Sequence, residues 1–463
     1  MPEFQLSLSI WDWAIVGIYF VLLIFMGWKK GGKEQNEADF LLSGRTMTIA
    51  PFIATLVSTW YGGILGVGEY SYQYGISQWL IFGLPYYIFA LLFAWLLAGK
   101  IRSNKALTIP EAIKNLYGKR AGRWSAILVF LLVNPAPYIL MLGLLLKFMT
   151  GAPGNATLYA AAIAFFAVGY ISFSGFKAVV RTDILQVLLM FSGFIMLFGF
   201  AWHESGSIAA IWPDLPADYR DITGGQDFSY IIVWFFIALW TFVDPGFHQR
   251  AAAAESPQTA RKGIAASVGL WFVFDFLTVT CGLYSFHILG DSLENPVLAY
   301  PALAAAILPA GLLGFFLLSL MATIMSTLDS FLFLSGQSIG RDLLHPLWPN
   351  RRANNITRAG MLFSALLGVL LTYLFPSVVE LWYIIGSVVI PGLLIPVTGI
   401  YFKPLRVQRE WVVPLIALST LLSAGWFITG KILGAAPLLG IEPFYPGLAA
   451  SIIILLASRI KNS

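Results

Sequence analysis

The chain has 463 residues, 58% hydrophobic and 15% aromatic, with only 11% charged and a formal net charge of +5. Soluble domains carry about 25% charged residues, so this composition excludes a water-covered globule and points to a polytopic protein of the lipid bilayer. One cysteine, Cys281, excludes an internal disulfide framework.

Thirteen apolar segments of spanning length follow one another: residues 10–28, 47–67, 74–99, 124–147, 157–173, 183–202, 229–247, 264–289, 311–335, 358–375, 379–402, 411–430 and 444–458. Twenty-five of the 28 Lys and Arg fall in alternate loops, and only Lys147, Arg220 and Lys431 fall on the other side. The basic loops include 29–46, 100–123, 248–263 and 341–358. By the positive-inside rule they are cytoplasmic, with the N-terminus outside and the C-terminus inside. The positive charge is topology, not a nucleic-acid patch. The leader before the first span is nearly uncharged and that span is long enough to stay as an anchor, so no cleavable signal is expected. The expected unit is one membrane domain over 1–463.

Two spans are interrupted. The second reads PFIATLVSTWYGGILGVG, with Gly62 and Gly63 in its middle; the seventh reads IIVWFFIALWTFVDPGFHQR, with Asp244, Pro245 and Gly246 towards one end. Five spans separate them, so they run in opposite directions. Membrane helices are often kinked by Gly and Pro for packing alone. Matched interruptions in two halves, however, point to an inverted-repeat transporter with its site at midplane. Glu69 and Asp244 adjoin the two breaks and are expected to border the substrate or gating path.

The ninth span, GLLGFFLLSLMATIMSTLDSFLFLS, carries hydroxyls where lipid-facing residues are expected. Thr323, Ser326, Thr327 and Ser330 follow i, i+3, i+4, i+7 and form one stripe, with Asp329 on its flank. A carboxylate at bilayer depth costs about 2.5–3.5 kcal/mol on insertion scales, so a compensating partner is expected. Hydroxyl and carbonyl oxygens suit a small hard monovalent cation such as Na+. The competing reading is that such hydroxyls bond back to the i−4 carbonyl or glue helices together. Asp183 in the sixth span is a second buried carboxylate, with an interfacial pairing to Arg181 or Lys177 as its alternative. Asp275 is expected to be a structural partner.

Four stretches resemble the sodium:solute symporter family: FLLSGRTMTIAPFIATLVSTW, SGFKAVVRTDILQ, HQRAAAAESPQTARKG and LPAGLLGFFLLSLMATIMSTLDSFLFLSGQSIGRDL. The resemblance implies an all-α integral membrane protein with the leucine-transporter fold. That plan has one extra N-terminal helix (10–28), two inverted five-helix repeats (47–202 and 229–402) and C-terminal helices (411–458). It implies a main Na+ site made by the carbonyls of Leu56, Thr59 and Thr323 and the hydroxyls of Ser326 and Thr327. A second Na+ is implied near Asp183, Asp329 and Ser330; relatives usually have a small polar or apolar residue where Asp329 stands. The solute is placed near Ser58, Gly63, Gln78, Asn134, Trp240 and Thr241. Sialic acid carriers use an arginine about where Asn134 stands, and its lack here disfavours that class of acid.

The expected function is Na+-coupled import of a small polar organic solute, a neutral sugar or polyol first and an amino acid next, across the plasma membrane. The expected working unit is a monomer. The alternatives are proton coupling through Asp329 and Asp183, or a sensor that does not transport. Four scattered histidines and the lack of a glycine-rich phosphate loop argue against an enzyme.

Overall fold

The computed structural model describes residues 8–28, 36–151, 156–291, 293–374, 377–435 and 437–460. In chain order the helices that build the membrane core are α1 (Ile10–Trp28), α2 (Ile49–Trp60), α3 (Ile64–Tyr74), α4 (Trp79–Ser103), α5 (Lys119–Leu132), α6 (Ala136–Thr150), α7 (Ala156–Ser174) and α8 (Phe176–Ser205). They continue with α9 (Phe228–Ile237), α10 (Trp240–Val243), α11 (Pro245–Ala253), α12 (Pro257–Leu289), α13 (Leu312–Gly336), α14 (Ala353–Leu374), α15 (Val378–Tyr401), α16 (Arg409–Ile432) and α17 (Phe444–Ile460). Among the described residues there is no β-strand, only an isolated parallel bridge between Met47 and Ala254.

Eleven described helical stretches, rather than the expected thirteen, are long and apolar enough to cross a bilayer. The first and last expected spans contain shorter apolar helices, Ile10–Met26 and Phe444–Arg459. Large apolar side chains such as Leu188 and Ile195 on α8 and Phe272 and Phe276 on α12 are exposed, as lipid-facing residues must be.

Both anticipated interruptions exist, but neither is a long unwound segment. The first is a single 3-10 turn, Tyr61–Gly63, between α2 and α3. Gly62 is required there: a Cβ on it would lie 1.9 Å from Thr327 Oγ1, so only a bare backbone lets the break meet α13. The second is double, with helical hydrogen bonding lost between α9 and α10 and again at Asp244, whose side chain caps α11 by accepting from the Phe247 amide at 2.8 Å. A third interruption was not expected. The fourth span splits into α5 and α6 at 133–135, where Pro135 begins the new helix and Asn134 Oδ1 accepts the Ala136 amide at 2.9 Å.

The hydroxyl-bearing α13 is held at both ends. At its start, Asp12 of α1 accepts the amides of Gly311 and Gly314 at 2.8 and 2.7 Å, a carboxylate placed on a helix N-terminus. Beyond its end, Arg341 pairs with Glu111 at 3.0 Å, with Asp342 at 2.8 Å and with Glu37. The Met47–Ala254 bridge ties the chain entering α2 to the chain leaving α11, through Met47 N to Ala253 O at 3.0 Å and Glu255 N to Met47 O at 2.9 Å. Segments from the two broken helices are therefore joined at one end of the molecule.

Candidate functional site

The first break, α8, α11 and α13 converge on a buried cluster of oxygens. Thr55, Ser58, Thr59, Asp183, Ser326, Thr327 and Ser330 are all buried. Ser326 Oγ donates to Asp183 Oδ1 at 2.6 Å and lies 2.9 Å from Ser58 Oγ. Thr327 Oγ1 donates to the carbonyl of Thr59, and Thr55 Oγ1 donates to the other oxygen of Asp183. Thr323 bonds back to the Ser319 carbonyl at 2.7 Å, as an ordinary helical threonine does. The stripe read from the sequence therefore divides: Ser326 and Thr327 reach across to α2, and Thr323 has only its carbonyl left to offer. A carbonyl of Thr59 and two neighbouring hydroxyls, drawn together across an interhelical contact, are the donor set a sodium ion accepts.

Arg250 of α11 enters the same cluster. Its side chain is fully buried, and Nη2 lies 2.6 Å from Thr59 Oγ1, 2.9 Å from Thr55 Oγ1, 2.9 Å from Ser330 Oγ and 3.6 Å from Asp183 Oδ2. Counting Arg250 with the basic residues of loop 248–263 was therefore an error. Its guanidinium leaves the loop because Asp183 and three hydroxyls replace the water it gives up. Asp183 pairs with Arg250, across 67 positions of chain, which the alternatives Arg181 and Lys177 did not anticipate.

Asp329 faces elsewhere. Its Oδ2 accepts the Tyr170 hydroxyl of α7, and its Oδ1 is buried with no hydrogen-bond partner among the described residues. Nearby, Gln186 donates to Tyr19 at 3.0 Å. Asp183 and Ser330 thus share Arg250, while Asp329 belongs to a separate α1–α7–α8–α13 cluster.

Beside this cluster lies a cavity of about 120 Å³. Its wall is mainly aromatic, with Trp60, Tyr86, Tyr138, Trp234, Trp240 and Trp382 prominent, and it also includes Gly63, Gln78, Asp244, Arg250 and Asp275. Of the residues named from sequence, Gly63, Gln78, Trp240 and Asp244 line it. Leu56 and Thr59 line it too, so cavity and oxygen cluster share the first break. Ser58, Asn134 and Thr241 do not: Ser58 donates to the Ala54 carbonyl at 2.9 Å, Asn134 caps α6, and Thr241 is fully buried. Glu69 is half-buried on α3, away from the cavity wall, with Oε2 unpartnered. Asp275 reaches the cavity and accepts the Tyr87 hydroxyl.

Sequence reasoning missed Arg250, Tyr170, Thr55 and the aromatic wall beyond Trp60, Tyr61 and Trp240. Arg250 carried a usable signal, since it stands six residues past Asp244 in an apolar, alanine-rich helix. Trp60, Tyr61 and Trp240 are marked by their place beside the two breaks, whereas Tyr86, Tyr138, Trp234 and Trp382 carry no such signal, because aromatic residues are spread along the whole chain.

Discontinuous helices packed around a buried oxygen cluster are the arrangement of the leucine-transporter fold. The sodium:solute symporter family model matches residues 40–388, and the chain belongs to that family. It is 24% identical to the osmoregulated proline transporter of Bacillus subtilis (strain 168), over 95% of this chain and 92% of that one. It is 25% identical to the sodium/glucose cotransporter of Vibrio parahaemolyticus, over 87% and 83%. The fold is that of an outward-open Na+-coupled sialic acid symporter, with a TM-score of 0.81, 14% identity and 98% coverage of both chains. MhsT in complex with L-phenylalanine aligns with a TM-score of 0.55 and 14% identity, over 92% of this chain and all of that one. Sodium is accordingly the coupling ion, and these relatives are transporters, not enzymes.

Proposed function

We propose that the chain is a plasma-membrane symporter that carries a small polar organic solute inward with Na+ by alternating access. The observation that carries this reading is the shared first break: Leu56 and Thr59 line the cavity, while the Thr59 carbonyl takes a hydroxyl from α13. An ion held by Leu56, Thr59, Thr323, Ser326 and Thr327 would lock α2 against α13 and so shape one side of the solute cavity. Coupling between ion and solute is then reciprocal. Inward movement of one positive charge gains about 2.3 kcal/mol per 100 mV.

Residues 47–202 and 229–402 serve as the inverted repeats, and the basic loops support an outside N-terminus and a cytoplasmic C-terminus. An aromatic cavity with a few polar groups suits a small polar organic solute.

A second cation at Asp183 and Ser330 would need Arg250 to withdraw, because the guanidinium already lies between them. Proton coupling through Asp329 has one observation in its favour, the unpartnered Oδ1. Uptake that follows the proton gradient and ignores Na+ would establish that reading instead.

Binding of a transported solute to purified protein, measured with and without Na+, tests the proposal. Affinity is expected to fall at least about tenfold without Na+, a coupling of about 1.4 kcal/mol. Equal affinity in both would sink it. Ser326→Ala with Thr327→Ala is expected to raise the Na+ concentration for half-maximal uptake at least about tenfold while the protein still folds.

A further inference from the structure

We propose that the solute this cavity selects is a compact substituted ammonium with a hydroxyl at its other end, an amino alcohol rather than a sugar or a free amino acid. The inference rests on the symporter reading and names its solute class.

Three observations meet in one space. The first is the wall. Trp60 meets Tyr86 at 4.9 Å and 64° and Phe247 at 5.6 Å and 87° between ring centroids, so the rings stand as a corner rather than a stack. Trp382 presses its indole edge to the opposite side of the break, where a Cβ on Gly63 would lie 2.3 Å from it. Ring faces attract an ammonium through their quadrupole, most strongly where water is excluded. A sugar gains stacking from such a wall but loses many hydrogen bonds to water that few groups here replace.

The second observation is the charge balance. Asp244 and Asp275 both reach the cavity, and neither has an ion pair among the described residues. Asp244 spends one oxygen on the Phe247 amide, and Asp275 takes the Tyr87 hydroxyl. Arg250 is the sole basic residue of the wall among the described residues, and its guanidinium pairs with Asp183. Arg250 also faces Asp244, so one guanidinium serves Asp183 and Asp244 while Asp275 has no counter-charge; this excess of carboxylate favours a cationic solute and repels the carboxylate of an amino acid.

The third observation is Gln78. It is fully buried on the cavity wall, and both its amide nitrogen and its amide oxygen lack partners among the described residues. An amide whose NH2 and carbonyl both await partners matches a hydroxyl, which can accept from the one and donate to the other. An ammonium among the rings and carboxylates, with a hydroxyl on Gln78, satisfies all three.

The test is calorimetric titration of the purified full-length protein in saturating Na+. The probes are choline, its uncharged isostere dimethylbutanol, ethyltrimethylammonium, glucose and proline. Choline is expected to bind at least about tenfold more tightly than the isostere, which has carbon in place of the charged nitrogen. It should also bind several-fold more tightly than ethyltrimethylammonium, and Gln78→Leu should erase that second difference. Asp275→Asn is expected to weaken choline at least about tenfold while keeping the Na+-induced rise in melting temperature that reports a folded ion site. No binding of choline, or equal binding of the isostere, overturns the proposal. Na+-dependent binding of glucose or proline in place of choline overturns the solute class and leaves the symporter reading standing. Choline binding that is indifferent to Na+ upholds the class and overturns the coupling.

Discussion

Two neighbouring regions of this protein meet at the first break and solve opposite problems. The oxygen cluster around Asp183 and Arg250 is closed on itself: each charge has a partner, and the hydroxyls of Thr55, Ser326 and Thr327 each reach a neighbouring helix. The aromatic cavity is left open: among the described residues the Gln78 amide is unpartnered and Asp275 has no counter-charge. A satisfied network buried in low dielectric is rigid and registers small changes in charge. An unsatisfied wall tolerates its cost only because something else completes it. Under the proposed function, the first region holds the ion and locks α2 against α13, and the second receives the solute.

The largest way to break this comparison is to unpair the closed region. Asp183→Asn leaves the Arg250 guanidinium buried without its counter-charge, and the expected loss is about 3–5 kcal/mol of stability. Thermal unfolding in detergent reads it. Asp183→Leu combined with Arg250→Met should recover most of that stability while Na+-dependent uptake stays abolished. Recovery of uptake would show that the pair is scaffolding only.

Next in size is the contact that joins the two regions. Gly62→Ala forces a methyl into Thr327, and overpacking of this kind costs about 1–3 kcal/mol. The expected readout is a raised Na+ requirement along with a lower melting temperature. Unchanged Na+ dependence would separate the break from the ion site.

A smaller effect is expected at Asp329, outside both regions. Asp329→Asn keeps an acceptor for Tyr170, so stability should change by less than about 1 kcal/mol. The Na+ dependence of uptake should hold. A lost pH dependence of uptake would move Asp329 into the coupling machinery. Smallest of all is Lys431→Ala, which removes an exposed pair with Glu380 at 2.7 Å. Surface pairs contribute about 0–1 kcal/mol, and uptake should be unaltered.

Local chemistry that repeats along one element was legible in the sequence. Apolar length marked the spans, the spacing of Thr323, Ser326, Thr327 and Ser330 marked a stripe, and Gly62–Gly63 and Asp244–Pro245–Gly246 marked the breaks. Such features follow from backbone geometry and need no distant partner. The choice of partners was not legible. That Asp183 meets Arg250, that Asp329 turns to Tyr170, and that Thr323 bonds back to its own helix depend on how α2, α7, α8, α11 and α13 pack. The cavity wall has the same origin, for it draws rings from segments as far apart as Trp60 and Trp382. The sequence by itself determined a membrane-buried helical chain with a stripe of hydroxyls on one helix. The tertiary structure alone decided which charges are neutralised and which still face the cavity, because pairing energy depends on distance in space and not on distance along the chain.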